Sequence, residues 1–425
     1  MPFGCPPTFR DPGWRSLVIL LIYGYQGLIA GFGLTVLPNY FAEMGATPAA
    51  IGGYIAMIGL PWILQPLWGP LVDGHGRSHM GGRRSWVLLA LAGAVASLGG
   101  LGFAGSGPSA LPWFGLVLLV HSGFASLLDA AVDAMIIDCV PLKRFGQATA
   151  LTRTGFVTGT ALGALLFSWV LPGYGLAVAS TLLMLFGAAA GLVALLVRET
   201  GTDVLLSLRC HPLADPMRAS RTTYGSLVGQ MFQQMRQRGT IALLALCVAE
   251  EFATATFGVH LGVGMIQDGG WDAASLSRLQ GGLTLVGGTV GALSIGHWSD
   301  RIGHHTMLRL LLGACALAYL VAGLMVLTPH VAWRSATAMT LSSIVPALVF
   351  VALAPTVMRR SRGVGAATQF ALFMAALNTG GILGSAASGP VGAVLASWQI
   401  ALGGACIFLA CTAATFRMHI LVAEP

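Results

Sequence analysis

Apolar runs of about 20 residues recur along this chain, and long stretches between its basic clusters hold no charge at all. That property limits the fold more than any motif does. Only 9% of the 425 residues are charged, against about 25% in soluble domains. Such a chain, 56% hydrophobic with mean hydropathy +0.79, cannot coat a soluble globule of this size with polar groups. In a bilayer every backbone N–H and C=O must be satisfied internally, which leaves helices or closed barrels. Barrel strands would show alternating segments of about ten residues, whereas these runs have the length of spanning helices. The chain therefore reads as an all-α membrane protein.

The runs place twelve spans at 16–38, 50–72, 85–105, 112–140, 146–171, 174–197, 240–265, 276–299, 306–328, 333–358, 364–391 and 396–418. The fourth is long enough to tilt or to project beyond the bilayer. With the N-terminus inside, all but Arg153, Arg278 and Arg334 of the 22 Lys and Arg lie on the cytoplasmic side. The positive-inside rule thus predicts cytoplasmic termini in a bacterial inner membrane. The formal net charge of +7 is then a topology signal, and no nucleic-acid partner is expected. Arg10 and Arg15 precede a long first run, which reads as an uncleaved span rather than a signal peptide. The polar stretch 198–239, with Pro212 and Pro216, reads as a cytoplasmic linker between two six-span bundles, 1–197 and 240–425. The seven cysteines form no CxxC pair and read as small apolar residues.

The two halves repeat a motif. "GPLVDGHGR" (69–77) and "GHWSDRIGH" (296–304) both read G-x-x-x-D-x-x-G at the end of the second span of their half. Gly69, Asp73 and Gly76 match Gly296, Asp300 and Gly303, with Arg301 added in the second copy. Two similar six-helix halves with this loop resemble the major facilitator superfamily, in which the resemblance implies a cytoplasmic conformational latch. Gly155, Gly159 and Gly163, and likewise Gly287 and Gly291, are spaced by four, which permits close helix crossings.

Charges inside spans carry the functional argument. Asp129 and Asp133 lie one turn apart on one face of span 4, and Asp138 points elsewhere near the cytoplasmic end. An acid at membrane depth costs about 2.5–3.5 kcal/mol on insertion scales, so it needs a cavity, a partner or a proton. Arg153 in span 5 lies at a similar depth to Asp133, and a buried Arg–Asp pair is the expected compensation. Glu250 and Glu251 sit near the middle of span 7 and point about 100° apart. One is expected to face a cavity and the other a neighbour such as Thr254. Glu250, Glu251, Asp129 and Asp133 are the candidate proton-coupling groups. Tyr23, Gln26, Gln65, Gln280, Gln369 and Asn378, with Tyr25 beside them, are the candidate solute-cavity residues.

His75, His79, His304 and His305 lack helical ligand spacing with acids and read as loop histidines, so no metal site is expected. His121 and His260 lie within spans toward the outer side, where either is a weaker candidate for solute or metal. No P-loop, nucleotide fingerprint or hydrolytic triad is present. The chain is therefore not expected to be an enzyme. It needs no cofactor, and its energy source is the proton motive force.

The spacing D-x3-D-x4-D-x2-P, here Asp129, Asp133, Asp138 and Pro141, resembles span 4 of the AmpG muropeptide permease family. "LWGPLVD" (67–73) with "GRRSW" (82–86), "RTGFVTG" (153–159) and "AATQFALFMAAL" (366–377) resemble further segments of that family. The resemblance implies a proton-coupled permease that alternates access between two bundles. Leu128 stands where the family tends to have Gln, and Gln65 and Ile136 stand where it carries lysines. Losing two cations from the path favours a more apolar cargo, as in related siderophore-locus permeases. The expected function is import of an amphiphilic solute, of siderophore, metal-chelate or muropeptide-like type, by a monomer in the lipid bilayer. Export of a small amphiphile and a non-transporting membrane sensor are the alternatives.

Overall fold

The computed structural model describes residues 7–74, 78–103, 105, 107–141, 144–207, 229, 233, 238–327, 331–360 and 366–422. The described chain is almost entirely helical. Helix α1 runs over Pro12–Glu43. Helix α2 runs over Pro48–Ile63 and resumes over Gln65–Gly74. Next come α3 (Arg84–Leu98), α4 (Leu111–Cys139) and α5 (Phe145–Leu196). Beyond residue 237 come α6 (Arg238–Gln267) and α7 (Ala273–Leu285, continuing to Ile302). The last four are α8 (His304–Met325), α9 (Ala332–Arg360), α10 (Ala366–Gly392) and α11 (Ser397–Val422).

Local sequence sets several of these boundaries. Proline opens α1 and α2, where its missing N–H costs nothing. The Thr47 hydroxyl caps α2 by accepting from Ala50 N at 3.2 Å. Asp272 caps α7 by accepting from Ser275 N at 2.8 Å. Pro38 cannot donate into the ladder of α1, and the helix widens into a π-turn over Phe32–Val36 just before it. Pro61 and Pro66 flank the break in α2 at Leu64 for the same reason.

Ten helices among the described residues are long and apolar enough to cross a membrane. Two expected spans are accounted for differently. Spans 5 and 6 join in α5, which reverses at Gly175, where φ is 76°. The reversal is visible in the packing: Gly159 meets Gly24 while Gly187 meets Tyr25, so both arms of α5 flank the same level of α1. Span 8 is α7, helical throughout but interrupted by a π-turn over Val286–Gly291.

Glycine lets helices touch backbone to backbone in both halves of the chain. A Cβ at Gly27 or Gly31 on α1 would collide with the carbonyls of Phe156 and Thr160 on α5. Gly159 and Gly163 meet the carbonyls of Gly24 and Leu28 in return. In the C-terminal half Gly380 and Gly384 on α10 meet the carbonyls of Val248 and Phe252 on α6 in the same manner. Gly287 and Gly291 on α7 pack instead against Ile344 and Leu348 of α9.

The helices before residue 208 and those after 237 also meet each other. Hydrogen bonds join the two halves at the face opposite the chain termini, here the distal face. Asn39 Nδ2 donates to Ser277 Oγ (2.9 Å) and Gln280 Oε1 (2.7 Å). Gln267 Nε2 donates to the carbonyls of Ala42 and Ala46 at 3.0 and 2.9 Å. Ser388 Oγ reaches Pro48 O, and Gly389 packs on Ala49.

The terminal face carries a different device. Glu199 Oε2 accepts from the backbone N–H groups of Arg83 (2.8 Å) and Arg84 (3.2 Å). Arg84 is 2% exposed and donates to the carbonyls of Met80, Val204 and Leu205 and, on α5, Ala194 and Leu195. Phe9 N donates to Arg198 O, and Arg198 N donates to Pro7 O. The first residues of the polar stretch are thus tied to the 78–84 loop and to the N-terminal segment. Gly81, at φ 118°, permits this approach, since a Cβ there would lie 2.6 Å from Glu199 Oε2.

Candidate functional site

Several polar side chains inside the spans gather into two groups, one on α4 and one around Arg153. The one-turn spacing on α4 brings Asp129 and Asp133 to one side. Tyr23 Oη, from α1, donates to Asp133 Oδ1 at 2.8 Å and also interacts with Asp129. Gln65 stands just after the break in α2, and its Nε2 donates to Asp129 Oδ2. The neighbouring Trp68 Nε1 donates to Ser126 Oγ at 2.9 Å. Asp133 is exposed although it sits well inside a spanning helix. Gln26, one turn along α1 from Tyr23, is 5% exposed, and its Nε2 has no partner.

The expected Arg153–Asp133 pair does not form. Arg153 instead interacts electrostatically with Glu251 of α6. Its guanidinium lies over the Phe350 ring of α9, 4.6 Å from the centroid. Arg153 is exposed, and its partners lie in the other half, so the exposure is to the gap. The correction has a physical cause. Asp129 and Asp133 already accept hydrogen bonds from uncharged groups, while Glu251 would otherwise face Arg153 across the gap unpaired.

Glu250 and Glu251 point apart, as adjacent helical residues must. Glu250 is 3% exposed, and its Oε2 has no hydrogen-bond partner. It interacts with Cys247, Cys315, Cys411 and Tyr319 inside the C-terminal half. Thr254 does bond Glu250, but through the main chain: its Oγ1 donates to Glu250 O at 2.9 Å.

Other expected residues sort by place. Gln280 is not a cavity residue, because its amide oxygen is taken by Asn39 in the distal seam. Asn378 is half-buried on α10. The Gln369 side chain lies outside the described residues. For the repeated motif, Gly69 has open space where a Cβ would stand, Arg301 is exposed, and Gly303 turns into α8 at φ 89°. Gly76 and His75, and the side chains at Asp73, Gly296 and Asp300, lie outside the described residues. Tyr25 packs against Gly187 and meets the His121 ring edge-on, away from the acids. His121 itself is 3% exposed and bonded through Nδ1 to Ala94 O, and His260 bonds Ser397 Oγ. Asp138 forms an ion pair with Arg83 Nε at 3.0 Å. Sequence reasoning missed Arg84 and Glu199, because the arginines read only as topology signals and Glu199 fell within the polar stretch read as a linker.

The chain has relatives of known kind. The profile described as Major Facilitator Superfamily matches residues 19–385. A folate-biopterin transporter of Synechocystis sp. is 34% identical over 166 residues, 36% of this chain and 32% of that protein. The anhydromuropeptide permease of Escherichia coli K12 is 25% identical over 162 residues, 38% of this chain and 32% of that protein. A multi-drug resistance efflux pump PmrA homolog of Lactococcus lactis is 29% identical over 171 residues, 38% of this chain and 40% of that protein. Each match thus spans well under half of the relative. Among solved structures, a POT family transporter in complex with 5-aminolevulinic acid superposes with TM-score 0.73 at 12% identity, covering 100% of this chain and 98% of that one. The nucleoside transporter NupG superposes with TM-score 0.64 at 17% identity, covering 95% and 98%. These structures share the fold. With many helices long and apolar enough to span a membrane and a profile match over most of its length, the chain is a multi-pass membrane protein and belongs to the Major Facilitator Superfamily.

Proposed function

We propose that the chain is a proton-coupled secondary transporter of the bacterial inner membrane. It imports an amphiphilic solute, of siderophore, metal-chelate or muropeptide-like type, by alternating access. The observation that carries this reading is the placement of Arg153 across the gap, with its guanidinium over the Phe350 ring and within electrostatic reach of Glu251. A charge pair spanning two rocking bodies responds to both the proton and the solute, because neutralising the acid weakens the link between the bodies. The hydrogen-bonded seam at the distal face closes that end of the gap. With the termini in the cytoplasm, as the basic residues predict, this is the inward-open state. The names of the folate-biopterin and anhydromuropeptide relatives add polar, carboxylate-bearing solutes to the candidate cargo.

The test is uptake into proteoliposomes under an imposed proton gradient, with labelled folate, a ferric siderophore and an anhydromuropeptide as cargo. Accumulation that collapses with a protonophore supports the reading. Uptake indifferent to the gradient and unchanged in Glu251→Gln sinks proton coupling. Accumulation only when the gradient is reversed makes the chain an exporter.

A further inference from the structure

The gap between the halves has two poles of opposite chemical character. At one pole Asp129 and Asp133 stand a turn apart, held by Tyr23 and Gln65. Both holders are uncharged, and neither carboxylate has a cationic partner among the described residues. At the other pole stands Arg153, shared between Glu251 and the Phe350 ring. Beside Tyr23, Gln26 is 95% buried, with an amide donor that nothing accepts.

We propose that the gap takes an amphoteric solute, one carrying both a cationic or N–H-rich group and a carboxylate. The cationic group sits between Asp129 and Asp133. The carboxylate takes the edge of Arg153 once a proton from water has neutralised Glu251. This rests on the proton-coupled reading above and adds the chemical class of the cargo.

Three features make the exchange work. First, the Arg153 guanidinium carbon lies over the Phe350 ring, and a guanidinium carries five N–H donors, enough to serve a carboxylate while the ring contact is kept. Arg153 therefore remains in place while it changes partner. Second, the charges balance in the exchange. The proton on Glu251 removes one negative charge from the guanidinium, and the solute carboxylate restores it. At the other pole the solute cation meets two carboxylates already pre-oriented by hydrogen bonds. Third, the groups that face Glu251 are few. They are Arg153, the adjacent Glu250 and, more weakly, Tyr319 and Cys247. Arg153 is the one cation among them. The groups facing the aspartates are Tyr23, Gln65 and each other.

The experiment uses the full-length protein in detergent and measures ligand-induced thermal stabilisation across pH. The probes are 5-aminolevulinic acid, trialanine and folate, each beside its ester and its N-acylated form. At least one parent compound is expected to bind at least tenfold more tightly than both blocked forms. Arg153→Gln should reduce affinity for that parent to that of its ester and leave ester binding unchanged. Glu251→Gln should bind the parent with a pH profile shifted from wild type between pH 5 and 8, the residual dependence belonging to the two aspartates. Asp133→Asn should equalise the parent and its N-acylated form. Monodisperse elution of each variant and partial rescue by Arg153→Lys guard against misfolding. The proposal is overturned if no amphoteric probe binds, if a blocked form binds as well as its parent, or if Glu251→Gln keeps the wild-type pH profile. Proton-driven uptake of a purely anionic or purely cationic cargo would overturn it while leaving proton coupling intact. Selective binding of the parent with gradient-independent uptake would instead remove the coupling and keep the binding site.

Discussion

The two halves of this transporter solve the same packing problem in the same way and house their acids in opposite ways. Glycines on α1 and α5 let those helices cross backbone to backbone, and glycines on α10 do so against α6. The acids differ. On α4 the two aspartates lie side by side and are held by neutral donors of their own half. On α6 the two glutamates diverge, one toward Arg153 of the other half and one into the packed interior of its own half, where Oε2 has no hydrogen-bond partner. The repeat therefore sets the helix crossings, while the ionisable groups mark where the halves have acquired different tasks. The N-terminal half holds its aspartates side by side on neutral donors, and the C-terminal half places one glutamate within electrostatic reach of the other half.

The shared device should break with the largest effect. Gly384→Leu and Gly159→Leu each drive a side chain into backbone that cannot retreat. Each should cost about 3 kcal/mol or more of stability, the upper range for overpacking. Thermal unfolding followed by size exclusion reads this out. If only one of the two is affected, the equivalence of the crossings fails.

The link between halves comes next. A double-mutant cycle with Arg153→Gln and Glu251→Gln should give a coupling of about 2 kcal/mol in thermal stability of the protein in detergent. Near-zero coupling would mean that the two groups do not hold each other. Within the N-terminal half, Tyr23→Phe removes a donor to a carboxylate, worth about 1.5 kcal/mol. Its coupling to Glu251→Gln should be close to zero if the two acid sites are independent.

The smallest effect lies at the distal end. The Ser275 hydroxyl and N–H hold the Asp272 carboxyl below the usual carboxylate range. A depressed carboxylate stabilises the fold above its unfolded pKa of about 3.9, and that contribution is lost as pH falls through its folded value. Asp272→Ala should therefore cost about 1 kcal/mol at neutral pH, typical of a lost helix cap. The difference from wild type should shrink under strong acid in a melting series.

The helices were legible because hydropathy has to match bilayer thickness, which ties each apolar run to one span. Residues on one helix face were legible too, since Asp129 and Asp133 at i and i+4 must share a neighbourhood. The partner of Arg153 was not, because similar depth permits several pairings and only the docking of the halves selects Glu251. Gln280 misled for a related reason. A polar residue within a span serves a cavity or a seam equally well, and Asn39 decides the matter from 241 positions away. Glu199 carried no periodic signal. Its role depends on two N–H groups at the start of α3 that stand free only once that helix exists.

The Glu199 and Arg84 contacts have a mechanical meaning. The chain that joins the halves leaves the N-terminal half at the base of α3, where Val204 and Leu205 are gripped, rather than at the end of α5. Tension along that tether, whatever its origin, is delivered to a clamp of at least seven hydrogen bonds instead of to a single fraying helix end. Because Arg84 also holds the Ala194 and Leu195 carbonyls, the last turn of α5 and the start of α3 share that load.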